Sequence, residues 1–260
     1  MNLGLRELAT FLAEHNSDRS LVLATVAATE GSSYRKPGAM MLISRDKAFA
    51  GLISGGCLEG DLLEHANAVF NDGRPRLVTY DLSSDDDAIL GLGLGCGGVI
   101  HLLLQRLERD EGFSFMPALL ESARQRTTCL LALSWREGAE FVPGTWAMVG
   151  SEAGILGDKA LAGGLNQQLE AWGQGKRYRY TGTNNSILMV RVEPSPRILI
   201  CGAGPDAVPV ARQVDALGWE SIVADHRGAY ARAERFPDTT RVLHIRPSGL
   251  GDAIDPVSYT

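Results

Sequence analysis

A glycine-rich turn between a strand and a helix constrains this chain more than any other stretch. The apolar run from Phe49 to Ile53 stops at Ser54-Gly55-Gly56-Cys57, and a pattern typical of an amphipathic helix continues from about Leu58 to Phe70. The sequence therefore predicts Cys57 at a helix N-terminus. Unpaired N–H groups and the positive end of the helix dipole favour anions there, including a thiolate. We expect this turn to carry chemistry or to hold a negatively charged ligand.

A second glycine-rich stretch, Gly91 to Gly98, centres on Cys96 and has glycine at five of its eight positions. Glycine lets the backbone approach a ligand closely or adopt a positive φ. Neither Cys57 nor Cys96 has a Cys-x-x-Cys partner or a His at ligand spacing, so a structural zinc site is not expected. The other two cysteines, Cys129 and Cys201, fall within apolar strand patterns and are predicted to be core residues.

The stretches around these turns alternate between strand and helix patterns. Apolar residues at helical spacing in 1–16 predict an amphipathic helix, and the Val-, Leu- and Ala-rich run 20–29 predicts a buried strand. Residues 39–44 and 48–53 are predicted to form a hairpin. The remaining predictions before residue 193 are strands at 76–81, 99–106, 129–135, 145–150 and 186–192, and helices at 115–126 and 161–172.

The segment Glu193-Pro-Ser-Pro196 predicts a linker, because its two prolines break regular structure and stiffen the chain. Beyond it the sequence runs strand, glycine-rich turn, helix and second strand. This order is typical of a Rossmann-type unit, in which Gly202 forms the tight turn and Gly204 lets the backbone approach a pyrophosphate. Asp225 follows near the ~20-residue spacing at which a carboxylate binds a ribose hydroxyl, whereas Arg227 suits a 2′-phosphate.

After Asp225 the sequence predicts only a helix near 230–235 and a strand near 241–245. The predicted fold class is α/β, with a mixed α/β N-terminal domain of residues 1–192 and a partial Rossmann-like domain of residues 197–260. A partial sheet exposes an edge that commonly needs a cover or a partner, so a homodimer is one expected arrangement.

The composition of the chain excludes some classes of binding partner and indicates the cellular compartment. The net charge of −6 gives no electrostatic basis for nucleic-acid binding. No run approaches the ~20 apolar residues that span a bilayer, and the first residues lack the basic start and apolar core of a signal peptide. We therefore expect a cytoplasmic protein with reduced cysteines that binds neither nucleic acid nor membrane.

Several motifs, in this order, give the chain a family resemblance. As an ordered set they resemble the XdhC/CoxI family of xanthine dehydrogenase accessory factors. The chain departs from the family pattern at Tyr34, where proline is more common, and in the missing second half of its Rossmann-like part. The motifs are Gly31-Ser-Ser-Tyr-Arg35, Gly38-Ala-Met40, Ser54-Gly-Gly-Cys-Leu-Glu-Gly60, Gly91 to Gly98, Gly202-Ala-Gly204 and Asp225-His-Arg227.

The resemblance implies a maturation chaperone more than a catalyst. Such a factor would bind the molybdenum cofactor (molybdopterin), support its sulfuration with a cysteine desulfurase, and pass it to the apo-enzyme of a molybdenum hydroxylase. Cys57 and Cys96 would handle sulfur or face the molybdenum. The planar guanidinium of Arg35 suits a phosphate, although a lone loop arginine is more often a solvated charge. The other residues expected to hold the cofactor are Ser54, Gly55, Gly56, Glu59, Gly95, Gly97 and Gly98, with Glu59 equally expected to stabilise only the helix start.

Two other functions stay open from the sequence. An NAD(P)-dependent oxidoreductase, or a protein that binds another nucleotide, is favoured by Gly202, Gly204 and Asp225, although no hydride-transfer constellation is recognisable. A structural adaptor that joins the hydroxylase and the desulfurase without holding cofactor is the third hypothesis. The position of Cys57 and Cys96 in space separates these hypotheses best.

Overall fold

The computed structural model describes residues 4–82, 98–136, 140–150, 154–172 and 177–254. By its contacts the chain divides into two compact units, residues 3–194 and residues 195–260. The N-terminal unit is built on two antiparallel sheets, and the C-terminal unit on one parallel sheet.

The N-terminal unit contains four α-helices and ten strands among its described residues. In chain order they are α1 (Leu5–Glu14), β1 (Ser20–Gly31), β2 (Met40–Ile43), β3 (Phe49–Gly51), α2 (Glu59–Asp72), β4 (Arg76–Asp81), β5 (Gly98–Glu108), α3 (Met116–Arg124), β6 (Cys129–Ser134), β7 (Trp146–Gly150), β8 (Gly154–Gly157), α4 (Leu165–Glu170), β9 (Tyr178–Thr181) and β10 (Ile187–Val192).

The first sheet has the order β3-β2-β1-β5-β4, and all its neighbouring strands are antiparallel. Strand β1 lies at its centre and is buried on both faces, which explains why its sequence is an almost continuous apolar run. Leu21 and Leu23 belong to the central core, whereas Val22 and Ala24 pack on the opposite face with α2. Alternation of side chains along β1 thus supplies two cores at once.

The second sheet has the order β8-β7-β6-β10-β9 and is also antiparallel. Its Leu131 and Leu188 share the central core with residues of the first sheet and with α1 and α3, while Leu130 packs on the outer face with α4. The hydroxyl of Tyr180 donates to the carbonyl of Ala27 in β1 at 3.0 Å. The two sheets therefore pack face to face within this unit.

The C-terminal unit is a parallel sheet of three strands with the order β11-β12-β13. One helix, α5, connects the first two strands and packs on them through small residues such as Ala207 and Ala211. This arrangement agrees with the Rossmann-like prediction. Its elements are β11 (Arg197–Cys201), α5 (Ala207–Ala216), β12 (Glu220–Asp225), β13 (Thr240–His244) and α6 (Leu250–Ala253).

The mixed α/β fold class is confirmed, and the differences from the predicted elements are local. The helix expected near 230–235 was wrong, because only a 3₁₀ turn forms at Ala233–Arg235. The helix expected at 161–172 is shortened to α4. Strands β8 and β9 were not predicted, since they are short, lie at sheet edges and have little apolar alternation. No helix in the described ranges combines the length and apolar character that a membrane crossing requires.

Candidate functional site

The turn before α2 is held by two polar side chains of its own. Ser54 and Glu59 are both buried, at 5% and 4% exposure. The Glu59 carboxylate accepts the backbone N–H of Ser54 at 3.0 Å and also the Ser54 hydroxyl. The Ser54 hydroxyl oxygen in turn accepts N–H groups from Gly56, Cys57 and Leu58, each at 3.2 Å. The N–H groups of the turn up to the N-cap residue Leu58 are therefore satisfied internally, whereas the first N–H groups of α2 itself receive no side-chain cap.

These hydrogen bonds determine which of the predicted cofactor-binding residues still have unpaired groups for a ligand. Ser54 and Glu59 point at each other rather than at solvent, so their geometry fits the loop-stabilising role of Glu59. The N–H of Gly56 already has an acceptor, and the glycine is required there by its positive φ of 104°. Gly55 is exposed, and within the described chain its N–H has no hydrogen-bond acceptor, so this N–H is available to a ligand together with the first N–H groups of α2.

Cys57 is presented to solvent by this rigid turn. Its thiol is free and exposed, whereas the next residue, Leu58, is buried beneath the helix start. The prediction that Cys57 lies at a helix N-terminus is confirmed, because α2 begins at Glu59. An exposed thiol on an ordered backbone is accessible to a ligand or to a partner protein.

Arg35 lies beside this turn although it is 17 residues from its contact in sequence. Its Nε donates to the carbonyl of Leu52 at 2.9 Å, two residues before Ser54. In the described part of the chain the terminal nitrogens of Arg35 have no partner, so the guanidinium keeps donors for an anion. The hairpin β2–β3 brings the two loops together, since Arg35 precedes it and Leu52 follows it.

Tyr34 is a residue of this site that sequence reasoning did not select. The residue is 57% exposed, and its ring lies against Gly55, so close that a side chain built on Gly55 would touch the ring. An aromatic residue next to an arginine within a Gly- and Ser-rich loop is the sequence signal that could have identified it. The loop of Tyr34 and Arg35 therefore contacts the segment that leads to Cys57, through Gly55 and Leu52 respectively.

Gly98 serves the packing of the sheet. A side chain there would collide with the backbone carbonyl oxygens of Ser32 and Glu30. Gly98 pairs with Gly31 at the end of β1, and its own carbonyl accepts the N–H of Leu82 at 3.0 Å. Close approach of strands explains this glycine. Cys96, Gly95 and Gly97 lie outside the described residues.

The turn after β11 looks similar in sequence but differs in its charges. Asp225, predicted to bind a ribose, accepts four hydrogen bonds from its own unit, which come from the Ala203 N–H at 2.7 Å and from the backbone N–H and guanidinium of Arg227 at 2.8–3.0 Å. The Arg227 guanidinium and these N–H groups hold the pKa of Asp225 well below its usual range. A ribose hydroxyl would have to displace one of these donors.

The helix start in this unit is also less suited to a pyrophosphate than the motif predicted. Gly202 has a φ of 113° and its N–H donates to the carbonyl of Ala224 at 2.8 Å, so it forms the expected tight turn. Beside Gly204, however, the carboxylate of Asp206 occupies the space that a side chain would take, with Oδ1 2.5 Å from that position. A carboxylate at the start of α5 repels a phosphate.

The two cysteines predicted to be core residues differ. Cys129 is fully buried in β6, and burial raises the pKa of its thiol to about 11. The prediction for Cys201 was wrong, because this residue is exposed. It is the last residue of β11, an edge strand whose side chains are only partly covered. Cys201 lines a cavity of about 280 Å³ with Asp225, His226 and Arg227 among others.

Comparison with known proteins gives a consistent result. A model of the XdhC and CoxI family matches residues 15–81, which include Arg35 and Cys57. The chain is 31% identical over 236 residues to a protein of Bacillus subtilis (strain 168) whose name marks it as a probable subunit of xanthine dehydrogenase, and the match covers 88% of this chain. It is 26% identical over 227 residues to the molybdenum cofactor insertion chaperone PaoD of Escherichia coli (strain K12), covering 87% of this chain.

A solved structure agrees with these sequence matches. A crystal structure described as a xanthine dehydrogenase from Bacillus halodurans superposes with a TM-score of 0.76 at 28% identity, over 98% of this chain and 73% of that one. The chain spans 66% and 59% of the lengths of the two curated relatives. The ordered motifs, the family model and the shared fold agree, and the chain belongs to the XdhC and CoxI family.

Proposed function

We propose that this chain binds molybdenum cofactor as cargo and helps to insert it into a xanthine dehydrogenase-like molybdenum hydroxylase. The observation that carries the proposal is the exposed Cys57 thiol, held on a capped turn beside Arg35 inside the segment that the family model matches. The relative named a molybdenum cofactor insertion chaperone supports the same function. The proposal concerns a carrier rather than a catalyst.

The chemistry of these residues suits the proposed cargo. Molybdenum cofactor carries a phosphate, a flat pterin and a metal with sulfur ligands. The spare guanidinium donors of Arg35 and the N–H of Gly55 suit the phosphate. The exposed ring of Tyr34 offers a flat apolar face to a pterin. A thiolate at Cys57 is a ligand for a soft metal centre and a nucleophile for sulfur chemistry.

Cys57 has two roles under this proposal, and they lead to different experiments. In the first, its sulfur faces the molybdenum and retains the cofactor. In the second, the cofactor is held by other groups and Cys57 takes part in acquiring the terminal sulfur, with a cysteine desulfurase as the sulfur donor. Cys96, together with Gly95 and Gly97, stays a prediction as a second contributor to the same site.

Molybdenum retention tests the proposal directly. The wild-type chain is produced in cells that make the cofactor, and molybdenum per chain is measured after gel filtration. If the Cys57 sulfur faces the metal, we expect Cys57→Ala to lose most of the molybdenum, whereas Cys201→Ala, which removes another exposed thiol in the other unit, should retain it. Negligible molybdenum in the wild type would contradict the proposal.

The same samples separate the two roles of Cys57. If Cys57 faces the metal, the molybdenum content of Cys57→Ala falls. If it handles sulfur, Cys57→Ala keeps its molybdenum, while the sulfur that cyanide releases from the cofactor is lost. Wild-type amounts of both molybdenum and cyanide-labile sulfur in Cys57→Ala would exclude Cys57 from either role.

A further inference from the structure

Strand β4 (Arg76–Asp81) is an edge strand whose outer side is open among the described residues. It pairs only with β5, at one end of the first sheet. The opposite edge, β3, has three residues and packs against α1, whereas β4 has six. An open edge of this length is a template for pairing with another strand.

The register of β4 shows which backbone groups face outward. The N–H of Leu82 donates to the carbonyl of Gly98, in line with the pairing of β4 and β5. In an antiparallel ladder, residues that bond to a neighbour alternate with residues that do not. Leu82 and Val78 therefore direct their backbone groups toward β5, while Leu77 and Thr79 direct theirs toward the open edge. Leu77 is also 43% exposed, which is high for a leucine in a strand.

The side chains beside this edge divide into a basic end and an acidic end. A groove of about 930 Å³ runs between β4 and α2. At one end Arg76 forms an ion pair with Asp72 at 2.6 Å, and Arg74 is next to it. At the other end the hydroxyl of Tyr80 donates to Asp61 at 2.6 Å. His65 also contacts Asp61 at this end, at 3.4 Å. With His65 neutral, the two ends carry opposite net charge, so a reversed copy of the groove complements it.

We propose that two copies of this chain pair their β4 strands antiparallel about Val78 and thereby join their first sheets into one continuous sheet. A two-fold axis perpendicular to the sheet places the same face of both copies on the same side of the joined sheet. Residues that are opposite each other across the interface therefore have side chains on the same face. With the axis at Val78, Leu77 of each copy is opposite Thr79 of the other. These residues are the ones whose backbone groups face the edge, and they form about four hydrogen bonds between the copies.

The same register matches the charges. Arg76 of one copy is opposite Tyr80 of the other, on the face that carries α2, because both side chains contact α2 within their own copy. The guanidinium then lies near an aromatic ring and near the Asp61 carboxylate that the ring hydroxyl contacts, which is a favourable place for a cation. Shifting the axis by one residue to Thr79 places Leu77 opposite the charged Asp81 and loses this match.

Proline substitution at the edge tests the pairing. Because the N–H of Thr79 faces outward, Thr79→Pro removes a donor of the proposed interface and none of the bonds between β4 and β5. Thr79→Ala is the matched control, since it also loses the Thr79–His101 side-chain contact but keeps the N–H. We expect sedimentation equilibrium to give a dimer for the wild type and for Thr79→Ala, and an affinity at least ~100-fold weaker for Thr79→Pro.

A cross-link tests the register without relying on a proline. Residues at the two-fold axis of a non-hydrogen-bonded pair have Cα atoms about 4.5 Å apart, within reach of a disulfide. With Cys57, Cys96 and Cys201 replaced by serine, Val78→Cys should form a covalent dimer on mild oxidation, whereas Arg76→Cys, displaced from the axis, should not. A wild type that stays monomeric overturns the proposal, as does a Val78→Cys chain that cross-links no faster than Arg76→Cys.

Discussion

Among the described residues, two strand-to-helix turns carry an exposed cysteine, and they differ in the charged groups around it. At the turn before α2, the Ser54 hydroxyl and the buried Glu59 carboxylate accept N–H groups of the turn, and in the described part of the chain the terminal nitrogens of Arg35 have no partner. At the turn after β11, the Arg227 guanidinium forms an ion pair with Asp225, and the Asp206 carboxylate lies beside Gly204. The first turn therefore has unpaired donors that suit an anion, whereas the second turn already holds carboxylates of the protein itself.

This difference shows why two turns with similar glycine patterns differ in their capacity to bind an anionic ligand. Glycine supplies the backbone geometry of both turns, as the positive φ of Gly56 and Gly202 shows. Affinity for an anionic ligand depends on which cations and N–H groups remain unpaired. The nucleotide site predicted from Gly202, Gly204 and Asp225 gains no support from this geometry, and none of the three relatives described above has a name that mentions NAD(P).

Thiol reactivity should give the largest contrast. We expect Cys57 and Cys201 in the native chain to react with iodoacetamide at pH 8 at least ~100-fold faster than Cys129, because burial both shields Cys129 and raises its thiol pKa to about 11. Peptide mass spectrometry over a time course measures the three rates. Comparable labelling of Cys129 and Cys57 before unfolding would mean that the core around β6 opens easily.

Removal of Glu59 should have the next largest effect. Glu59→Ala leaves the buried N–H and hydroxyl of Ser54 without their acceptor, which should lower the free energy of unfolding of the N-terminal unit by about 2–4 kcal/mol. Glu64→Ala is the control in the same helix, since Glu64 forms only an exposed ion pair with Lys47. Urea unfolding followed by tryptophan fluorescence measures both variants. Equal losses would show that the Glu59 contacts do not hold the turn.

Acid should affect the second turn through Asp225. The pKa of this carboxyl is lower in the folded chain than in the unfolded chain, chiefly because of Arg227. Its contribution to stability is therefore present above its ordinary pKa near 4 and is lost as the pH falls below that value. We expect hydrogen exchange at the Ala203 amide to accelerate from pH 5 to pH 3, after correction for intrinsic rates. In Asp225→Ala, which removes the acceptor, the amide should exchange fast throughout, and a protected, pH-independent amide would contradict this role.

The effect of the Arg35 guanidinium on the reaction rate of Cys57 should be the smallest of the four. It tests most directly whether the two turns differ in their attraction for anions. An anionic disulfide reagent should react with Cys57 a few-fold faster than a neutral reagent of similar size, and salt should reduce the preference. Arg35→Gln should abolish this preference, and Arg35→Lys should retain part of it. Cys201 should show less preference, because Asp225 neutralises Arg227. A preference unchanged in Arg35→Gln would mean that Arg35 does not influence the thiol.

Much of the fold follows from local patterns. The central strand β1 and helix α2 were predicted because β1 is buried on both faces and α2 has one buried face, and each burial pattern leaves a distinct period in the sequence. Strands β8 and β9 leave no such period, since each has only four residues and neither has a fully buried one. The Ala233–Arg235 turn was overestimated because helical composition does not ensure the packing that extends a helix.

The sequence by itself determined where Cys57 lies, because a strand, a glycine-rich turn and an amphipathic helix follow one another without interruption. It also determined the family, through the order of its motifs. Only the tertiary structure decided two long-range contacts of the charged groups: the Arg35 guanidinium donates to the Leu52 carbonyl across a hairpin, and the Asp225 carboxylate accepts the Ala203 amide. Hydrogen bonds between residues distant in sequence depend on how strands are paired, and the composition of a single loop does not encode that pairing.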